Sequence, residues 1–464
     1  MYINIDPYKI KGLTPEERED IVKLCEIHDA HIGANNQKER YYEGKISLND
    51  VNLGIALPDG LSGLEIGCAW GAKTVDVLAA RSMFDGFVGM NGEDVEALDK
   101  LVLANDLISE YMKAARDELK FGCVFATLSA DNKIGCKIRF HSPRTAAARW
   151  DGDKGRIKSG LAIIDTAPDY TDPHSMRPSI VYYYNDAAII VLVRVGSEWS
   201  ATRFPHKMGR PLMEPLIWNA TSSKPFGRSR IKEPIRRLIQ GYVRTIANAT
   251  IGLEFSTAPQ KYLLGVTDEQ YDAVINQKFR QYVGNILAST VNPETGEKPS
   301  FGQLQQGSIE PHVSMVRLLA TQFSAATGLT VTDVGVVNDA NPTSSDAILA
   351  QSQTLVGMAE QMNAGNGNSL RTIALMALAI SEKTNIDGLT DEQKDIVAHF
   401  KNPAMPSVAV TADAAIKIAS VRPAFAQTDV FAEMIGFSKA DIRRIKAQET
   451  RARGLAVLQE LDVE

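Results

Sequence analysis

The stretch "IKEPIRRLIQGYVRTIANATIGL", residues 231–253, is where the sequence changes from an alternating pattern to a helical one. Its apolar residues recur every three or four positions, which places them along one face of a long helix. The predicted apolar stripe comprises Ile231, Ile235, Leu238, Tyr242, Ile246, Ala249 and Leu253. Residues 123–218 hold short alternating runs separated by Asp-Asn, Asp-Gly and Pro, which predict a β-rich block. The fold class indicated is α+β.

Helical patterns lie on both sides of this β-rich block. Thr14 precedes Pro15 and an acidic first turn, so a helix is predicted from there to about Asn35. Similar patterns predict helices at 71–84, 92–122, 310–328, 343–362 and beyond 411, where Ser438 is a predicted N-cap. A short strand is predicted at 301–305.

The composition is that of an ordinary globular protein, with 464 residues, of which 44% are hydrophobic and 23% charged. The formal net charge of −6 predicts no strong overall attraction to nucleic acid or to an anionic membrane. No apolar run approaches the ~20 residues of a membrane span, and we expect no secretory signal. Four cysteines without a CxxC pair predict assembly in a reducing, intracellular compartment.

The segment "GCAWGAKT", residues 67–74, looks like a phosphate-binding loop but departs from that motif at two points. Three residues separate its glycines where the motif has four, and Ala72 stands between Gly71 and Lys73. Backbone N–H groups and the lysine therefore could not converge on phosphates as they do in a Walker loop. We interpret the segment as a glycine-rich turn before a helix.

The segment "CEIHDAH" places Cys25, His28 and His31 three residues apart on a predicted helix. A closed zinc site needs a fourth ligand, and no second Cys or His cluster is nearby, so two polar histidines on a helix are expected instead. The GxSxG, HExxH and GxGxxG motifs do not occur in the sequence. We predict no enzyme activity, no metal and no cofactor.

One helical segment is nearly uncharged. Residues 341–369, "NPTSSDAILAQSQTLVGMAEQMNAGNGNS", carry only Asp346 and Glu360 as charges. Such a helix either packs in a polar interface or lines a wet surface. A surface along which a polyanion slides should lack cations, since each Lys or Arg contact with a phosphate adds affinity. The sequence leaves both alternatives open.

Six segments occur in an order that resembles a known family. They read "YYEGK", "WGAKTVDVLAARSMFDGF", "RFHSPRTAAARWD", "PFGRSRIKEPIRRLIQGYVRTIANATIGLEFSTAPQKYLLG", "GSIEPHVSMVRLLATQFSAATGL" and "NPTSSDAILAQSQTL". The ordered set resembles the portal proteins of tailed double-stranded DNA bacteriophages, of the type found in long-tailed siphophages. The pair "APQKYLLG" and "NPTSSDAI" is the most specific part. The resemblance implies a portal fold with a β-rich wing, long stem helices, a small α/β clip and a helical crown.

The resemblance also implies a role. Portal proteins form a dodecameric ring at one capsid vertex, through which double-stranded DNA is packaged, retained and ejected. The expected partners are other copies of the chain, DNA of any sequence, the terminase large subunit, a head-completion adaptor and the major capsid protein, with a scaffold protein as a further candidate. The expected location is the portal vertex of the virion after assembly in the host cytoplasm, with no membrane partner.

The implied domain map follows the predicted elements. A wing would occupy 1–230 and return at 363–410, and the crown would occupy 411–464. Two stem helices, 231–253 and 309–328, would flank a clip at 254–308. A tunnel loop and tunnel helix would occupy 329–362.

The resemblance places two groups of candidate site residues. The predicted DNA channel residues are Asn338, Asp339, Asn341, Ser344, Ser345, Gln351, Gln353 and Gln361. The predicted clip residues that dock partners are Tyr271, Gln277, Glu294, Glu297 and Lys298.

The stretch "SKPFGRSRIKEPIRRL", residues 223–238, holds six basic residues and one acid, Glu233. It could grip DNA, or it could be a solvated or inter-subunit surface. Cations at the start of a helix oppose its dipole, so we expect acids of a neighbouring subunit to pair with them. Subunit contact is favoured over DNA contact, and the predicted contact residues are Arg228, Arg230, Arg236 and Arg237.

Two other classes of protein are alternatives. A packaging ATPase would need the Walker loop that is missing here. A capsid or tail-tube subunit would be mainly β and would lack three long helices flanking a small α/β unit.

Overall fold

A computed structural model gives the fold of the chain. It describes all residues except 1, 4, 47–65, 90–95, 169–174, 197, 258–260, 265–295, 297–299, 304–307, 336–344, 405–407, 438 and 462–464. The helices are α1 (Pro15–Tyr42), α2 (Trp70–Ala79), α3 (Glu96–Ala104), α4 (Leu107–Phe121), α5 (Glu233–Thr257), α6 (Glu310–Thr327), α7 (Ser345–Ser381), α8 (Asp391–Lys394), α9 (Val408–Val421), α10 (Asp429–Met434) and α11 (Lys439–Leu461).

The strands complete an α+β fold, as predicted. They are β1 (Phe84–Gly89), β2 (Cys123–Asp131), β3 (Gly135–His141), β4 (Ala146–Asp151), β5 (Arg156–Pro168), β6 (Met176–Tyr184), β7 (Ala188–Val195), β8 (Glu198–Pro205), β9 (Met213–Ile217), β10 (Lys261–Leu264), β11 (Ser300–Gln303) and β12 (Ile396–Phe400). The chain divides into two compact units, one of Met1–Asn35, Asp76–Ser229 and Thr343–Glu464, the other of Asn36–Val75 and Arg230–Pro342. Within the described ranges, no helix is long and apolar enough to cross a membrane.

The first unit contains a five-stranded antiparallel sheet in the order β4-β5-β6-β7-β8. Ile21 and Leu24 of α1 join buried residues of this sheet, such as Leu161, in one apolar core. The helix begins as predicted, because the Glu17 N–H donates to Thr14 Oγ1 and the Thr14 N–H donates to the Glu17 carboxylate. It continues past Asn35 to Tyr42, since residues 37–40 are the good helix formers Gln, Lys, Glu and Arg, and Gly44 follows in the left-handed region at φ +70°.

A second layer of this unit joins helices to a three-stranded sheet in the order β3-β2-β9. Both α4 and α7 pack against this sheet. Here α7 corrects a prediction, because the helix runs to Ser381 rather than ending near Met362. Gly365 and Gly367 each disfavour a helix by about 1 kcal/mol, but the apolar run from Ile373 to Ala379 is buried and outweighs that cost.

The β-rich block is confirmed, with two strands more than the sequence indicated. The six predicted runs correspond to β2, β3, β5, β6, β7 and β8. Strand β4 opens with three alanines, which have low β propensity. Strand β9 contains Pro215, which is tolerated because β9 lies at the edge of its sheet.

The second unit contains two helices, α5 and α6, that pack against each other. Between them in sequence lie β10 and β11, which pair as a two-stranded antiparallel sheet. Trp70 of α2 stacks at 4.5 Å from Tyr242 of α5 and at 4.7 Å from Phe323 of α6, measured between ring centroids. The buried stripe of α5 differs from the predicted one, because Leu253 is 45% exposed and several other members are half-buried. The buried apolar positions recur every four residues and are Ile231, just before the helix, and Ile235, Ile239, Val243, Ala247 and Ile251 within it.

Candidate functional site

The most distinctive surface of the chain is one face of α7. Its exposed residues follow helical spacing from Gln353 to Asn368, which is roughly 22 Å of helix at 1.5 Å per residue. They are Gln353, Thr354, Gly357, Glu360, Gln361, Ala364, Gly365 and Asn368. We call this set the α7 polar face. It contains no lysine or arginine, and Glu360 is its single charge.

The opposite side of α7 is buried and mostly apolar. Leu355, Ala359, Met362 and Leu370 are each at most 3% exposed. The helix is therefore amphipathic without being charged, and its apolar side anchors it in the first unit. Within the single chain this polar face is exposed, so the two alternatives, a polar interface with another chain and a wet surface, both stay predictions.

The structure reaches only part of the predicted DNA channel. Gln353 and Gln361 are both exposed on the α7 polar face, eight positions apart, which is close to two helical turns. Ser345 and Gln351 also belong to α7, but their side chains lie outside the described part of the chain. The remaining predicted channel residues lie outside the described residues, and they are Asn338, Asp339, Asn341 and Ser344.

The clip prediction falls on a part of the chain that is not described. The strands β10 and β11 that border it pair in antiparallel register, with Lys261 opposite Gln303. All five predicted docking residues lie outside the described residues, and they are Tyr271, Gln277, Glu294, Glu297 and Lys298. Their docking role stays a prediction.

Arg230 corrects the predicted subunit contact. Its side chain is buried, its Nε–H donates to the Thr74 carbonyl at 2.7 Å, and its Nη2 donates to the Thr327 carbonyl at 2.8 Å. Burial lowers the pKa of this guanidinium to about 10, so it stays charged at neutral pH. Arg230 is thus held inside its own unit, where it links the middle of α2 to the end of α6, and it is not a surface contact.

The other basic residues near the start of α5 are exposed, except for Arg236, which is half-buried. Arg236 Nη2 and Arg237 Nε both donate to the carboxylate of Glu233, the first residue of the helix. Glu233 therefore supplies in the same chain the acid that we expected from a neighbouring subunit. Arg228 is exposed, and its side chain has no ion-pair partner among the described residues. Contact with another subunit stays a prediction for Arg228, Arg236 and Arg237.

The segment that looks like a phosphate loop serves to pack helices. Gly71 lies in the first turn of α2, where an added Cβ would stand 2.0 Å from the Tyr41 carbonyl oxygen. The glycine thus allows α2 to approach α1, and Trp70 beside it enters the aromatic cluster with Tyr242 and Phe323. This agrees with the interpretation of a turn before a helix.

The histidine and cysteine residues of α1 are separated by burial. Cys25 and His28 are buried, whereas His31 is exposed. His28 contacts the Asp29 carboxylate at 2.9 Å and the Arg144 carbonyl at 3.0 Å. Burial raises the pKa of the Cys25 thiol to about 12, which makes it a poor nucleophile. In the described part of the chain, no group of three or more His, Cys, Asp and Glu side chains could hold a metal ion.

Sequence reasoning missed a buried polar network beneath α7. Asn366 Nδ2 donates to Glu118 Oε2 at 2.7 Å and to the Tyr111 hydroxyl at 3.0 Å. The Tyr111 hydroxyl lies 2.7 Å from Ser82 Oγ, which donates to Asn363 Oδ1 at 2.6 Å. A signal was available, because Glu118 falls on the apolar stripe of α4, seven residues after Tyr111.

Among the comparisons with known proteins, only the comparison of structures found similar chains. No family model matches the sequence, and no curated protein matches it. Chains similar in structure occur in "Virion of native gene transfer agent (GTA) particle", with 13% identity, 76% of this chain and 86% of that chain covered, and a TM-score of 0.45. Others occur in "Neck of empty GTA particle computed with C6 symmetry", with 13% identity, 76% and 85% covered, and a TM-score of 0.43.

A third similar chain belongs to "Neck of native GTA particle computed with C12 symmetry", with 12% identity, 79% of this chain and 89% of that chain covered, and a TM-score of 0.44. TM-scores at this level do not establish a common fold. The function therefore has to be argued from the residues of this chain.

Proposed function

We propose that this protein is a portal subunit that forms a dodecameric ring at one capsid vertex, with the α7 polar face directed toward the DNA channel. The observation that carries the proposal is this face, a long exposed surface that is polar, nearly neutral and free of lysine and arginine. A channel through which DNA moves must contact water and phosphates without holding them, because each cation on a phosphate adds affinity and salt dependence.

The order of elements supports the same proposal. Two packed helices, α5 and α6, bracket a segment that begins and ends in the paired strands β10 and β11. This matches the stem–clip–stem order that the sequence resemblance implies. In that order the clip would dock the terminase large subunit during packaging and a head-completion adaptor afterwards, and the charged start of α5 would contact a neighbouring subunit.

The native mass of the purified protein tests the ring. Twelve copies of the 50.6 kDa chain should appear as one particle, with a central hole wide enough for duplex DNA in negative-stain electron microscopy. A monomer that hydrolyses ATP would contradict the proposal and would favour a packaging motor. A closed shell or a stacked tube without a separate ring would favour a capsid or tail-tube subunit.

A further inference from the structure

Among the described residues, one buried carboxyl group has no cation as a partner. Glu118 of α4 and Asn366 of α7 are both fully buried, each 0% exposed. Among the described residues, the Glu118 carboxyl receives one side-chain hydrogen bond, from Asn366 Nδ2 to Oε2. A buried carboxylate without a cation is costly, because the charge loses its hydration and gains little in return.

Two buried oxygens, one from each residue of this contact, have no hydrogen-bond partner among the described residues. They are Glu118 Oε1 and Asn366 Oδ1. Both are acceptors when the carboxyl group is ionised, so they cannot satisfy each other in that state. A single proton on Glu118 Oε1 would satisfy both, because a carboxylic acid and a primary amide can exchange two hydrogen bonds.

The neighbouring hydrogen bonds run in one direction and are consistent with this arrangement. The second hydrogen of Asn366 Nδ2 goes to the Tyr111 hydroxyl. Ser82 Oγ donates to Asn363 Oδ1, so its hydroxyl can only accept from Tyr111. Tyr111 is the titratable group in contact with the pair, and Asn363, Asn366 and Ser82 are neutral.

We propose that Glu118 is a protonated carboxylic acid in the folded protein and donates to Asn366 Oδ1, forming a neutral acid–amide pair that fixes α7 on α4. Burial raises the pKa of Glu118 to about 8, which agrees with a neutral acid at physiological pH. Asn366 follows the exposed Gly365 and is itself fully buried, so the pair lies on the buried side of α7 and adds a polar contact to its apolar packing. Its importance for a DNA channel rests on the proposed function, whereas its protonation can be measured on any folded form of the protein.

The sign of the pH dependence follows from the raised pKa. Between the ordinary value near 4.5 and about 8, folded Glu118 keeps its proton while the unfolded chain loses it. The folded state therefore binds more protons in this window, and its stability falls as pH rises through it. Glu118→Gln should remove this dependence, because the glutamine amide can form the same pair with Asn366 without a proton to lose.

Infrared difference spectra and thermal unfolding test the proposal on the full-length protein. At pH 6.5 the wild type should show the carbonyl stretch of one protonated carboxylic acid that E118Q lacks, and its unfolding midpoint should fall relative to that of E118Q between pH 5 and pH 8. The matched control is Glu449→Gln, an exposed glutamate of α11, which should change neither readout. Spectra without a difference band, or parallel pH profiles, would overturn the proposal.

A measurement on the unmodified protein covers the case in which E118Q does not fold. Hydrogen exchange of backbone amides in residues 359–374 should show protection that falls above pH 8, after correction for the intrinsic pH dependence of exchange. Protection that stays constant from pH 7 to pH 9.5 would show that ionisation of Glu118 is not linked to α7. A missing ring in solution would contradict the proposed function and would leave these readouts unaffected.

Discussion

Arg230 Nη2 donates a hydrogen bond of 2.8 Å to the backbone carbonyl of Thr327, the last residue of α6. Helix ends leave carbonyl groups without partners inside the helix, and a cation there also favours the helix dipole. The Nε–H of the same guanidinium donates a hydrogen bond to the Thr74 carbonyl of α2. One buried side chain thus caps the end of α6 and gives the mid-helix carbonyl of Thr74 a further donor.

Replacing Arg230 by alanine should destabilise the protein by about 3 kcal/mol or more, because two buried carbonyls lose charged donors and a cavity remains. The free energy of unfolding by urea measures the loss. Arg228→Ala is the matched control, since that side chain is exposed and two positions away, and its effect should stay within about 0.5 kcal/mol. Equal losses for both variants would show that Arg230 does not contribute through these bonds.

Two helical glycines should respond to alanine with opposite signs. Gly71→Ala places a Cβ 2.0 Å from the Tyr41 carbonyl oxygen and should destabilise the protein by about 2 kcal/mol or more, since backbone has to move. Gly33→Ala in α1 meets no atom within 4 Å and should stabilise by up to about 1 kcal/mol through helix propensity. Thermal unfolding midpoints compare them, and a neutral Gly71→Ala would mean that α2 can shift freely.

The sequence predicted elements wherever local signals and burial agree, and it failed where tertiary packing decides. Thr14 caps α1 through residues next to it in sequence, and the strand β7 is apolar almost throughout, so the start of α1 and the strand could both be predicted. The length of α7 depends instead on burial of residues after Leu370, which local glycine content conceals.

The candidate site was predictable to a similar extent. The missing cations of the α7 polar face are visible in the sequence, and its exposure on one side of the helix follows from the apolar spacing of residues such as Leu355 and Met362. Burial of Arg230 was not predictable, because its partners are backbone carbonyls distant in sequence, which carry no residue-specific signal. The Glu118–Asn366 pair likewise depends on a contact 248 residues apart.

An ion pair in the first unit should make stability depend on acid pH. Arg203 Nη1 and Nη2 each donate at 2.8 Å to one oxygen of the Glu17 carboxylate. Burial alone would raise the pKa of Glu17, but hydrogen bonds from Arg203 and Thr14 outweigh burial and hold the pKa below its ordinary value. Because the folded pKa is depressed, the pair stabilises the fold above the unfolded pKa, and that stabilisation is lost as pH falls through the folded pKa.

A double-mutant cycle of Glu17→Gln and Arg203→Gln measures this pair. At pH 7 we expect a coupling energy of about 1 kcal/mol, since Arg203 is partly exposed and water screens the charges. The coupling should vanish at acid pH, once the pH has fallen through the depressed folded pKa and Glu17 is protonated in both states. A coupling that persists in acid would show that hydrogen bonding rather than charge holds the two residues together.

Adding positive charge to the α7 polar face should slow DNA movement without disturbing the fold. Gln353 and Gln361 are exposed, so lysine at both positions should leave the native mass and thermal unfolding unchanged. In a packaging assay with the matching terminase, Q353K/Q361K should package DNA several-fold more slowly, because each lysine can bind passing phosphates. Raising the salt concentration should partly restore the rate, since phosphate contacts weaken steeply with salt.

Two matched variants distinguish phosphate binding by the new lysines from an effect of substitution itself or of added charge elsewhere. Gln353→Glu/Gln361→Glu changes the same positions without attracting phosphates and should package faster than the lysine variant. Gln448→Lys adds a cation at an exposed position of a different helix, α11, and should package at the wild-type rate. Equal rates for the lysine and glutamate variants would mean that these side chains do not meet the DNA. The channel would then have to be lined by another part of the chain.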